Sequence, residues 1–253
     1  MSDTELKQEL KATKIAYQNA VQNANFHAGF LGRVAHEIRA PLGSLMSLHQ
    51  LILNDLCENP QEEKEFIKNA YDYAKKLLNL MDQVIEVSKL NVGKLSLDLK
   101  IIRSKEFLAS LIRIMEIQAF NGNINLVLDQ NMIDCFLYVD QEKLLQGFCY
   151  LLEVVIAHFE LATILLSAES QDQNTTIKLS LPYDEYIFSE SINFSELPLT
   201  EIEKLNQNPE LSAGLKMSLA STLIEVMGGK ITIQNIIPIS TTLEVSFPNF
   251  ETR

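Results

Sequence analysis

The sequence predicts an α+β chain: an N-terminal helical hairpin that forms a dimeric four-helix bundle, followed by an α/β sandwich. Three observations predict it. Apolar residues recur at alternating steps of four and three from Tyr17 to Val87, the period of a helical bundle. Glu58-Asn59-Pro60 breaks that pattern with a helix stop and a turn. Beyond Gly93, apolar residues alternate with polar ones in short runs between helical stretches, the texture of a mixed sheet domain.

The first helix is expected over residues 3–57, where Pro41 is the one proline. Its apolar stripe runs from Leu10 and Tyr17 through Leu31, Ala35, Ile38, Leu42, Leu45, His49 and Ile52 to Leu56. A helix of about 50 residues would be about 75 Å long, so a partner must cover its seam. The second helix carries Phe66, Ala70, Tyr73, Leu77, Leu80, Val84 and Val87. Two matched helices joined by a short turn make an antiparallel hairpin. One hairpin leaves an apolar face bare, and pairing two hairpins covers it. Residues 1–19 read as a coiled-coil lead-in and 20–93 as the hairpin domain.

Asn91-Val92-Gly93 ends the second helix. Leu95, Leu97 and Leu99 then alternate with polar residues as in a strand. A helix is expected over Lys105–Ala119, strands over 124–128 and 134–139, and a helix over Gln141–Phe159. Strands at 163–168 and 175–181 precede a polar, irregular stretch at 183–211. A helix at 214–227 and strands at 230–235 and 241–247 close a second domain, 94–253, built mainly from antiparallel hairpins.

Composition narrows the function. The 253 residues carry 21 basic and 33 acidic side chains, a net charge of −12. That balance argues against nucleic acid, which is held by neutralising phosphates, and against anionic membrane surfaces. No apolar run is long enough to span a bilayer. The charged start, MSDTELKQEL, lacks a secretory core, so a cytoplasmic protein is expected. Cys57, Cys135 and Cys149 have no CxxC spacing and cannot all pair, which fits reduced thiols and disfavours zinc.

The most informative segment is His36-Glu37-Ile38-Arg39-Ala40-Pro41-Leu42. Ala35 and Ile38 lie on the seam, and His36 sits about 100° round the helix from it, pointing toward solvent or an adjoining domain. Glu37 can hold the imidazole in one tautomer or take its proton. Pro41 removes the N–H that would bond the carbonyl of Glu37, so a kink is expected after the histidine.

This string closely resembles the H-box of two-component histidine kinases, whose histidine takes a phosphoryl group while the next acidic residue assists as base. The resemblance implies that residues 20–93 are a dimerisation and histidine phosphotransfer domain and that 94–253 are an α/β sandwich of the histidine-kinase ATPase type. Asp140-Gln141-Glu142-Lys143-Leu144-Leu145-Gln146 resembles the start of the family's N-box helix. Gly214-Leu215-Lys216-Met217 resembles the glycine box that ends the nucleotide lid, and Ile224–Ile231 the turn beyond it.

The departures from the family pattern are as telling. In register, the N-box asparagine becomes Val154, and an earlier one becomes Tyr150. An apolar side chain cannot ligate magnesium, which takes oxygen. The adenine-reading Asp-x-Gly-x-Gly box is absent where the strand runs out through Leu181. No glycine occurs between Phe148 and Ala213, although a phosphate-wrapping loop needs close backbone approach. Lys216 stands where the next glycine of the third box belongs. Tyr150, Val154 and Leu181 are therefore expected to fill a degenerate nucleotide cleft. Ala40 replaces the Thr or Asn with which bifunctional kinases position water, so phosphatase action should be weak.

The expected function is phosphorelay transfer: His36 accepts a phosphoryl group from one receiver-domain aspartate and passes it to another, with Glu37 assisting and little or no ATP use. The expected partners are response regulator receiver domains, including that of a hybrid histidine kinase, and a second copy of the chain. Magnesium would come with the receiver. The docking face would comprise Arg39, Ala40, Gly43, Ser44 and Ser47, and the small side chains of Ala40, Gly43, Ser44 and Ser47 would admit a partner helix. Two alternatives stand: a divergent kinase that autophosphorylates His36 with ATP, and a non-enzymatic pseudokinase that regulates a kinase or response regulator. His49 is expected to be packed or hydrogen-bonded and His158 to serve a helix end. His27 has no assigned role, and Asp184, Glu185 and Glu190 read as a solvated acidic loop.

Overall fold

A computed structural model describes residues 30–91, 96–171, 173–182, 211–236 and 240–249. The lead-in, the first helix before residue 30, His27, Leu95 and the acidic loop lie outside the described residues. The chain divides into two compact units, with the change between Leu77 and Leu78.

Helix α1 covers 30–53 and continues through Pro41. It stops before the expected 57 because Asp55 turns left-handed, with φ 55°. Asp55 N–H then donates to Ile52 O and Leu56 N–H to Leu51 O, a motif that satisfies the last carbonyls of a helix. Asn59 starts α2, Pro60–Asn91, by accepting from the N–H groups of Gln61 and Glu62 at 3.0 and 2.9 Å. Pro60 takes the first helical position, where no N–H is needed.

On α2 the expected stripe holds the most buried positions. Ala70 and Leu80 are buried, and Phe66, Tyr73, Leu77 and Val84 half-buried. Val87 falls outside the described side chains. A second apolar row lies one residue further on: Ile67, Tyr71, Leu78, Met81 and Ile85, each 45–60% exposed. On α1, Phe30 and Val34 are buried while Leu31, Leu42, Met46 and Leu53 are exposed. The hairpin therefore has one apolar face inside and another bare in the single chain.

The second unit runs β1 (Leu99–Arg103), α3 (Ser104–Asn121), β2 (Ile124–Leu128), β3 (Phe136–Asp140), α4 (Gln141–His158), β4 (Ala162–Gln171) and β5 (Asn174–Pro182). It closes with α5 (Ala213–Val226), β6 (Lys230–Ile236) and β7 (Ser240–Pro248). The first strand begins later than the leucine alternation suggested, because 96–98 are not paired. Strands β1 and β3 form an antiparallel ribbon, and the other five form a sheet in the order β2-β4-β5-β7-β6. Hairpins supply the pairs β4–β5 and β6–β7, β5 and β7 pair antiparallel across the intervening α5 and β6, and β2 lies parallel to β4. Helix α4 stands between β2 and β4 in the chain, and a parallel pair needs such a crossover.

Alternation decides which sheet face is covered. Thr175, Ile177, Leu179 and Leu181 of β5 are buried, as are Thr241, Leu243, Val245 and Phe247 of β7. They share the core with Phe107, Leu111, Leu144, Phe148, Leu151 and Leu215 from the three helices. Each such side chain contributes about 1.5–3 kcal/mol on leaving water. The intervening residues are polar: Lys178 bridges Glu169 and Glu244 at 2.6 and 3.3 Å across three strands. Gly228, at φ 83°, turns the chain out of α5. A side chain at Gly229 would strike Phe247 and Ile224, so β6 can follow the helix at close range only with glycine there.

Candidate functional site

In α1, His36 and Glu37 are half-buried, whereas Arg39, Ala40, Gly43 and Ser47 are exposed and Ser44 is half-buried. Positions 36, 40, 43 and 47 follow helical spacing and share one side of the helix. A Cβ placed on Gly43 would meet nothing within 4 Å. No packing among the described residues explains that glycine, although glycine inside a helix costs about 0.5–1 kcal/mol relative to alanine.

Both ring nitrogens of His36 are buried, and neither has a hydrogen-bond partner among the described residues. Seam position alone sets the direction of a side chain, and the covering of its polar atoms is a tertiary property. His49 is exposed, and its ring Nδ1–H donates to Leu45 O at 2.9 Å. His158 ends α4 and meets the ring of Phe159 edge-on.

In the second unit, Asp140 caps α4 by accepting from the N–H groups of Glu142 and Lys143, and also accepts from Asp98 N–H at 2.9 Å. Behind that cap Tyr150 and Val154 are buried on α4, as is Leu181 on β5. Tyr150 Oη receives a hydrogen bond from Gln146 Nε2. Lys216, on α5, is 4% exposed. Its Nζ lies 3.0 Å from Glu153 Oε2, so the one cation expected near a phosphate has its own carboxylate. Burial, and then the Glu153 charge, push the Cys149 thiol up to about 11, which leaves it without thiolate reactivity near neutral pH.

Sequence reasoning missed Glu153. The signal was present, since Glu153 is the one charge in the apolar run Leu144–Ala157 and Lys216 the one charge in Gly214–Ile224. Two lone opposite charges on buried helices require each other. Neither Val154 nor Leu181 offers an oxygen for magnesium. Among the described residues no group of three or more His, Cys, Asp or Glu side chains could hold a metal. No described helix is long and apolar enough to cross a membrane.

Residues 27–93 match the family described as His Kinase A (phospho-acceptor) domain. The autoinducer 2 sensor kinase/phosphatase LuxQ of Vibrio harveyi is 22% identical over 252 residues, covering 97% of this chain and 29% of its own. The circadian input-output histidine kinase CikA of Synechococcus elongatus is 24% identical over 240 residues, 90% of this chain and 31% of its own. The chain thus spans less than a third of these relatives. Two solved structures share the fold. The Acinetobacter baumannii histidine kinase AdeS has a TM-score of 0.63 at 16% identity, covering 84% of this chain and 97% of that one. Histidine kinase ThkA, solved in complex with response regulator protein TrrA, has a TM-score of 0.60 at 19% identity, covering 100% of this chain and 70% of that one.

Proposed function

We propose that the protein is a member of the two-component histidine kinase family that relays phosphoryl groups through His36 with little or no use of ATP; its residues 27–93 match the phospho-acceptor domain of that family. The observation that carries this reading is the pairing of buried Lys216 with half-buried Glu153 at 3.0 Å. It lies on the two helices that carry the degenerate nucleotide motifs, together with the buried side chains Tyr150 and Val154. A magnesium triphosphate would have to break that pair and find oxygen ligands where apolar groups stand. The residues present do not fit the nucleotide.

The donor is then a receiver domain carrying phospho-aspartate, such as that of a hybrid histidine kinase. A neutral His36 nitrogen attacks phosphorus, the N–P bond forms, and the bond from phosphorus to the aspartyl oxygen breaks. The carboxylate leaves with the electron pair, and Glu37 is placed to take the imidazole proton. The reverse step passes the group to another receiver. The receiver brings the magnesium ion that offsets phosphoryl charge. This chain supplies a positioned nucleophile and the docking face of Arg39, Ala40, Gly43, Ser44 and Ser47. Because both imidazole nitrogens are covered, transfer requires a conformation that exposes His36 to the docked receiver. Two copies of the hairpin form the bundle, and the protein works in the cytoplasm.

The covered nitrogens also favour a second reading, a pseudokinase that binds a receiver or kinase without chemistry. One experiment separates the readings. The protein is incubated with ATP and magnesium, and separately with a phosphorylated receiver. Acid-labile phosphate on His36 in the second incubation alone is expected, and His36→Gln abolishes it. Labelling from ATP would establish a kinase. Labelling in neither incubation, with receiver binding retained, would establish the pseudokinase.

A further inference from the structure

We infer that the free edge of β2 and the groove beside it form a binding site for an extended peptide segment of basic and apolar residues, which adds to the sheet as a sixth strand. The site lies wholly in the second unit and is independent of the chemistry at His36.

Strand β2 stands at one end of the order β2-β4-β5-β7-β6, and among the described residues it pairs with β4 alone. Alternate residues of a strand direct their N–H and C=O groups to opposite edges. Part of the β2 backbone therefore faces away from β4, available to another chain. Natural edges are guarded by charge, proline or a bulge. Ile124-Asn125-Leu126-Val127-Leu128 has no charge and no proline, and its register with β4 is unbroken. The other edge, β6, begins at Lys230.

Beside β2 opens a cavity of about 400 Å³, lined among others by Ile112, Glu116 and Phe120 of α3, Leu126 of β2, and Leu161. Phe120 and Leu161 are 79% and 83% exposed. Large apolar side chains clustered in water around a groove mark an interaction surface. Apolar residues at alternate positions of an added strand would all face one side, where they can fill such a groove.

Charge selects the occupant. Glu116 is the one charged residue lining the cavity, and no ion pair engages it among the described residues. Glu160 beside Leu161 adds the same sign, on a chain of net charge −12. Lysine or arginine in the added strand meets this field, whereas a second copy of the same acidic chain does not.

The test uses the full chain, isotope-labelled, with two synthetic peptides: one alternating valine and lysine, the other valine and glutamate. The lysine peptide is expected to shift the amide signals of residues 124–128 and to slow their hydrogen exchange at least tenfold. The glutamate peptide should bind at least tenfold more weakly. Glu116→Lys, a change at an exposed helix position, should reverse that preference, and Phe120→Ser should weaken both peptides. No shift at β2 with either peptide at millimolar concentration would overturn the proposal. So would equal binding of the two peptides, or protection of β2 that grows with protein concentration alone, which would make a second copy the occupant.

Discussion

A lysine with almost no exposed surface needs a counter-charge, and Lys216 finds Glu153 on the neighbouring helix. Removing one member strands the other. Lys216→Met should cost about 1–3 kcal/mol in urea unfolding, the scale of a polar group left unsatisfied. The figure stays below the about 3–5 kcal/mol of a wholly buried pair, because Glu153 is 24% exposed and can rehydrate. The double variant with Glu153→Gln should recover part of the loss; a single variant as stable as the parent would show that the pair contributes nothing. Asp134 presents a different balance. The N–H of Lys105, then the Arg103 side chain and the Ser104 hydroxyl, hold its carboxyl below the usual range against the opposing effect of burial. A depressed folded pKa stabilises above the unfolded value of about 3.9, and that contribution is lost as pH falls through the folded value. Asp134→Asn should therefore be less stable than the parent at neutral pH. The gap should close as urea titrations are repeated from pH 5 down to pH 2, and a gap that persists at pH 2 would exclude this origin.

Among the elements, α2 carries two adjacent apolar rows with different duties. The row of Ala70 and Leu80 is buried within the single chain, and the row of Tyr71 and Leu78 is bare. Leu80→Glu should unfold the hairpin and remove helical signal in circular dichroism. Leu78→Glu should leave the helices intact and convert a two-chain species to one chain in sedimentation. If Leu78→Glu leaves the mass unchanged, the bare row is not where copies meet. The first row was legible in the heptad spacing. The second was hidden in the same spacing, because two rows one residue apart share a period and only burial tells them apart. Strand positions were legible where residues alternate, as in β5 and β7. The parallel pairing of β2 with β4 was not, since it joins strands separated by a whole helix.

For the whole molecule, ligand binding and stability are linked: a ligand at a hundred times its dissociation constant adds about 2.7 kcal/mol to the folded state. Millimolar ATP with magnesium should leave the thermal midpoint of this chain unchanged. A rise of several degrees would mean that the lobe grips the nucleotide despite Val154 and the Lys216–Glu153 pair. The same protein is expected to accept a phosphoryl group from a receiver, and the two measurements read separate units of one chain.

The sequence by itself determined the period of the hairpin, the order of helices and strands, the His36–Glu37 pair, and the absence of glycine from Phe148 to Ala213. These are local facts, written in residue type and spacing. Only the tertiary structure decided that both nitrogens of His36 are covered, that Lys216 is committed to Glu153, and that β2 is left as an open edge. Each depends on which distant residues pack together. Spacing along a chain gives the direction of a side chain, and the fold alone gives its neighbour.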